Sequence, residues 1–147
     1  MQRWAKRAGA VLVAGLIVAA TDVRAELFSK AYAFKLGTVL EMGAEMPGGL
    51  RLDSVEFVLP EPGVKQGALG GPKVKVSISN LSTAAAKVAV SLAITDADGR
   101  LVAVASGGTK LFPLRADRQI LYTLNVDGVR AELAAGTVFR ISIEPMP

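Results

Sequence analysis

The chain has 147 residues, 51% of them hydrophobic, with 17 basic and 13 acidic side chains, a net charge of +4 and neither cysteine nor histidine. The two absences remove the usual zinc ligands, the Ser-His and Cys-His nucleophile pairs and any thiol redox role. They also leave the fold without disulfides, so a buried core alone must hold it.

Residues 1–25 read as a separate object. Arg3, Lys6 and Arg7 precede an uncharged run, Ala8 to Ala20, and Val23 and Ala25 supply the small residues of a cleavage site. This is the layout of a secretory signal peptide. A membrane anchor needs about 20 apolar residues, and Asp22 and Arg24 close the run before that. The expected product is exported, periplasmic or extracellular, with no stable membrane span after cleavage. The leader holds four of the basic residues, so residues 26–147 carry 13 basic and 12 acidic groups. That near-neutral balance gives no overall electrostatic footprint for nucleic acid or for an anionic membrane surface.

Residues 26–49 form an N-terminal segment with two readings. In Lys30–Leu40 the side chains of Tyr32, Phe34, Leu36, Thr38 and Leu40 share one parity, which suits an extra strand or an arm that docks on a sheet edge. "EMGAEMPGG" (Glu41–Gly49) then reads as a flexible link. Residues 50–147 read as one domain. Leu50 and Leu52 lie on one parity and Val55, Phe57 and Leu59 on the other, so a β-bulge near Asp53–Ser54 is expected. Residues 60–72 are the longest proline- and glycine-rich connection. Alternation of apolar and polar residues then marks strands at Lys73–Asn80, Lys87–Thr95, Gln119–Val126 and Thr137–Glu144, with a weaker one at Arg100–Ser106. Val129–Ala135 has room for one helical turn. These short strands with turn signals between them predict an all-β fold, an antiparallel β-sandwich of the immunoglobulin or fibronectin-III type with about six to seven strands.

"TDADGRLVAVA" (Thr95–Ala105) poses a choice between a calcium loop and a hairpin turn. With Asp96 at the first loop position, Arg100 falls where the fifth position needs an oxygen, and Gly107 where the twelfth needs a carboxylate. A turn fits better, since Asp98-Gly99 tolerates positive φ and a strand follows at once. The run from "VKVSISNLS" through "KVAVSLAITDADGRLVAV" to "LFPLRADRQILYTLNV" resembles the bacterial FxLYD-type exported immunoglobulin-like domains. Asn80 matches their turn asparagine, and Ile94-Thr95-Asp96 with Gly99 matches part of their Leu-Tyr-Asp-x-x-Gly signature, with Thr95 in place of the tyrosine. The resemblance spans roughly Lys73 to Val126 and implies a non-catalytic extracytoplasmic fold.

Other candidates resolve toward structure. Glu26, Glu41, Glu45, Glu56 and Glu61 crowd one region, but no two are fixed in a cleft as a tuned acid–base pair requires. Ser106–Lys110 lacks the spacing of a phosphate loop and has no helix after it. Asn80-Leu81-Ser82 is both a glycosylation sequon and an Asx-turn. On Lys87–Thr95 the residues opposite the core are Ala89, Ser91 and Ala93, a flat strip of small side chains that can admit another backbone closely. The expectation is therefore a non-catalytic interaction or accessory module with no cofactor, no metal and no nucleic-acid partner. Its interaction surface would draw on Tyr32, Phe34, Leu36, Ala89, Ser91 and Ala93, with an unidentified protein as partner. The alternative is a structural subunit of an exported assembly in which residues 26–40 pair with a neighbour's sheet edge.

Overall fold

The computed structural model describes residues 27–60, 71–128 and 133–146. The signal peptide expected at residues 1–25 lies outside the described residues, as does most of the 60–72 connection. Eight strands follow one another: β1 (Phe28–Ala33), β2 (Val39–Met46), β3 (Leu50–Val58), β4 (Lys73–Asn80), β5 (Lys87–Thr95), β6 (Leu101–Gly108), β7 (Arg118–Gly128) and β8 (Val138–Met146). There is no α-helix among the described residues, only single 3-10 turns at Pro47–Gly49 and Leu133–Ala135. The all-β expectation therefore holds, and the strand count is corrected from six or seven to eight.

The strands form one antiparallel sheet in the order β1-β8-β5-β6-β7-β4-β3-β2, rolled until it is nearly closed into a barrel. The long strand β7 joins the two halves. Its Arg118–Asn125 stretch pairs with β4, and its last residues, Val126 to Gly128, pair with β6. The chain passes between the halves from β1 to β2, β4 to β5, β6 to β7 and β7 to β8, and the pairings β4–β7 and β5–β8 are both long-range.

Alternation explains the core. Val74, Val76 and Ile78 of β4, Val88, Val90, Leu92 and Ile94 of β5, and Phe139, Ile141 and Ile143 of β8 are all buried, as period-two strands with one solvated face require. The bulge in β3 sits where the phase change places it: Leu52 pairs with Ile78 and Ser54 with Ser77, leaving Asp53 as the extra residue. On the other side of β3, Met42 and Gly43 of β2 lie opposite that same residue. Leu59 departs from expectation: it follows the end of β3 and is exposed.

The N-terminal segment is two strands. The chain turns after β1, with Gly37 at φ 64° and its N–H donating to the Phe57 carbonyl. The stretch Glu41–Gly49, expected as a flexible link, instead completes β2 through Met46, which is buried, and the Pro47–Gly49 turn. Its low β propensity hides it, because Glu, Met, Ala and Gly are poor strand formers that edge pairing with β3 overrides. β1 pairs with β8 of its own domain over its whole length, from Phe28↔Ile143 to Ala33↔Val138. Lys30 shares the parity of Phe28 and Tyr32, and its ammonium lies 5.6 Å from the centre of the Phe28 ring. A charge on the inward parity of an end strand guards that edge against pairing with another chain.

Candidate functional site

The six residues singled out from the sequence fall into two groups. Tyr32, Phe34 and Leu36 pack against the core. Tyr32 stacks on Phe139 at 5.5 Å, Phe34 meets the edge of Phe57 at 4.6 Å, and Phe57 meets Phe139 at 5.1 Å. This chain of four rings ties the N-terminal segment to both halves of the barrel, and burial pushes the Tyr32 hydroxyl pKa up. Leu36 bridges to Phe57. Ala89, Ser91 and Ala93 point the other way, onto the outer face of the β1-β8-β5-β6 half.

Register makes that face more than one strip. Ser29 pairs with Ser142, Ser142 with Ser91, and Ser91 with Ser106, so four serines line up across four strands. Ser29 and Ser142 share a hydrogen bond at 3.0 Å. The adjacent row runs Ala31, Arg140, Ala93, Val104 and Asp127. Ser91, Ala93, Val104, Ser106, Arg140 and Ser142 line an open trough of about 290 Å³. The sequence shows the β5 strip alone. The serine row requires the β5–β8 and β1–β8 registers, which join residues far apart in the chain.

Elsewhere the polar groups are occupied by the fold. On the outer face of the other half, the Asp53 carboxylate accepts from Arg51 Nε at 2.7 Å, from Ser79 Oγ at 2.6 Å and from Gln119 Nε2 at 3.0 Å. Burial works to raise its pKa, but the hydrogen bonds from Ser79, Arg51 and Gln119 and the charge of Arg51 outweigh it, leaving the carboxyl below its ordinary value. Gln119 also donates to Ser77 Oγ at 2.9 Å. This cluster clamps the bulge across three strands, and the bulge is what turns Asp53 outward between two buried stretches.

Asn80 is fully buried. Its Nδ2 donates to the carbonyls of Ala84 at 2.8 Å and Leu114 at 3.0 Å, and its Oδ1 accepts from the Ser82 N–H and hydroxyl. The sequon nitrogen is thus committed to structure and closed to modification in the folded domain. The aspartate pair forms a turn: Asp96 Oδ1 accepts from the N–H groups of Asp98 at 3.0 Å and Arg100 at 2.8 Å, and Gly99 takes φ 76°. No group of three or more His, Cys, Asp or Glu side chains that could hold a metal occurs among the described residues. Ser106–Lys110 is the end of β6 and its exit. Gly108 passes so close to the Val88 carbonyl that any Cβ would collide with it, and Thr109 Oγ1 accepts from the Val88 N–H and hydrogen-bonds Tyr122 Oη at 3.0 Å.

One surface feature has no equivalent in the sequence reading. Leu111 and Phe112, in the connection from β6 to β7, are 86% and 82% exposed. Hydropathy alone assigns such residues to a core, and only the fold reveals that they project. No protein-family model matches this chain, and no curated protein matches it significantly.

Proposed function

We propose that this chain is an exported, non-catalytic, immunoglobulin-like interaction or accessory module that binds a protein partner through the outer face of β1, β8, β5 and β6. The in-register row Ser29, Ser142, Ser91 and Ser106, flanked by Ala31, Ala89 and Ala93, carries this reading. Short side chains leave the sheet surface flat and let a second sheet or extended segment approach closely, while the hydroxyls supply hydrogen bonds. Export rests on the leader, and the immunoglobulin-like kinship rests on the FxLYD-type resemblance around Asn80 and Asp96. The absence of catalysis rests on the missing histidine and cysteine and on the capture of Asp53 and Asn80 by structural hydrogen bonds.

The test is a photo-crosslinking amino acid at position 91, and separately at position 123 on the other half's outer face, in cells that express the full chain. A discrete adduct from position 91 and none from position 123 is expected. Equal adducts from both, or none from position 91, would sink the reading. The structural-subunit alternative has a neighbour's sheet edge pair with the outer side of the end strand β1, beside Lys30. It predicts oligomers by light scattering that vanish on deletion of residues 26–40, whereas the favoured reading predicts a monomer.

A further inference from the structure

We infer that the β6–β7 connection is a membrane-contacting tip that seats Leu111 and Phe112 in the interface of a bilayer carrying anionic headgroups.

The tip is built to project. On one side Thr109 is pinned to β5, donating its N–H to the Val88 carbonyl and accepting the Val88 N–H at its hydroxyl. On the other, Leu114 is buried, exchanges two backbone hydrogen bonds with Ala86 and accepts a third from Asn80 Nδ2. Between these anchors only Lys110 to Pro113 protrude, so the two apolar side chains are held outward. Exposure of a bulky adjacent pair on a fixed frame marks a surface that something else covers.

Two observations select a bilayer as the cover. First, the connection carries Lys110 and Arg115 against a single acid, Asp117, with Arg118 next to it at the start of β7, and none of these three bases has a carboxylate within ion-pair distance among the described residues. The near-neutral total charge conceals this local excess. An apolar insertion beside basic residues is the pair of signals that gives stable attachment to an anionic interface. Second, the tip is convex and small. A lasting protein interface needs about 1,000 Å² with complementary packing, which two side chains on a protruding loop do not offer, whereas a fluid interface needs no matching shape. The inference uses a different surface from the serine face and does not depend on it.

The test places a reporter at the tip. Trp4 is the chain's sole tryptophan, so Phe112→Trp in a Trp4→Phe background reports position 112 alone, whatever the leader does. With vesicles of equal phosphatidylglycerol and phosphatidylcholine, a blue shift and quenching by brominated acyl chains are expected. With phosphatidylcholine alone both should be weak. Lys110→Ser with Arg115→Ser should lower partition to the anionic vesicles more than tenfold, at about fivefold per base. An unshifted, unquenched reporter with anionic vesicles overturns the inference, and so does equal quenching in both lipids. A blue shift that grows with protein concentration in the absence of lipid overturns it in favour of a second copy of the chain. Should the reporter chain fail to fold, hydrogen exchange on the unaltered protein decides: protection across 110–113 must appear with the anionic vesicles and not with the neutral ones.

Discussion

The two outer faces of the barrel solve the same problem in opposite ways. Over β2, β3, β4 and β7 the outward positions carry polar and charged side chains that engage one another: Arg51, Asp53, Ser79 and Gln119 in one cluster, and Lys75 with Glu56 at 3.2 Å. Over β1, β8, β5 and β6 the same alternation yields serine and alanine, with Arg140 the main long side chain in the trough. Both faces satisfy a strand's need for a non-core side. The first ties that side up in a cluster spanning three strands, whereas on the second the Ser29–Ser142 hydrogen bond joins β1 and β8 and leaves Ala89, Ser91, Ala93 and Ser106 open. A strand pattern identifies which side is outward, but the chemistry of that side separates a face that serves the fold from one free to serve a partner.

The strongest way to test this division is to remove what both halves share. Phe57→Ala breaks the ring chain through Phe34 and Phe139 and should cost about 3–5 kcal/mol in denaturant unfolding, as large aromatic truncations in a core do. Asn80→Ala should cost about 2–3 kcal/mol, because it removes the hydrogen bonds that Nδ2 gives to the Ala84 and Leu114 carbonyls and takes the acceptor from the Ser82 N–H. It should also raise hydrogen exchange at the Ala86 and Leu114 amides.

Asp53→Asn probes the bonded face and should cost about 1–2 kcal/mol at neutral pH, the range for a charge-assisted hydrogen-bond cluster that is partly solvated. The folded pKa lies below the ordinary 3.8. Asp53 therefore stabilises the fold above the unfolded pKa, and that contribution fades as pH falls through the folded value. Acid titration of the melting temperature should be flatter below about pH 4 in the Asn variant than in the parent. Ser106→Lys, on the bare face beside Ser91, should shift stability by less than about 0.5 kcal/mol while abolishing the adduct expected from position 91. A cost comparable to that at Asp53 would show that the bare face also serves the fold.

Much of this was legible from local pattern. β4 and β5 run over Lys73–Asn80 and Lys87–Thr95 as alternation marks them, the bulge falls at Asp53, and Asp96 makes a turn. Each of these depends on neighbours within a few residues. What stayed hidden depends on distant ones. β2 forms because β3 supplies a partner for a segment of weak propensity. The Lys30–Leu40 run looked continuous because its parity survives the turn at Gly37, and Tyr32 and Phe34 turned inward because Phe139 and Phe57 lie there. The serine row needed registers between the first and last strands, and the exposure of Leu111 and Phe112 needed the anchoring of Leu114. Alternation encodes sidedness but not closure, which is why a rolled sheet joined through β7 could not be told from two packed sheets.

The pairing of β1 with β8 has a consequence for the order of assembly. Ser29 and Ser142, bonded in the finished fold, stand 113 positions apart, and pairings of that span are slow because the intervening chain must be gathered first. A chain threaded amino-terminus first delivers β1 long before its partner exists. The barrel's seam thus closes last, and until β8 arrives the opening strand stays unpaired, with Lys30 as its safeguard against the wrong neighbour.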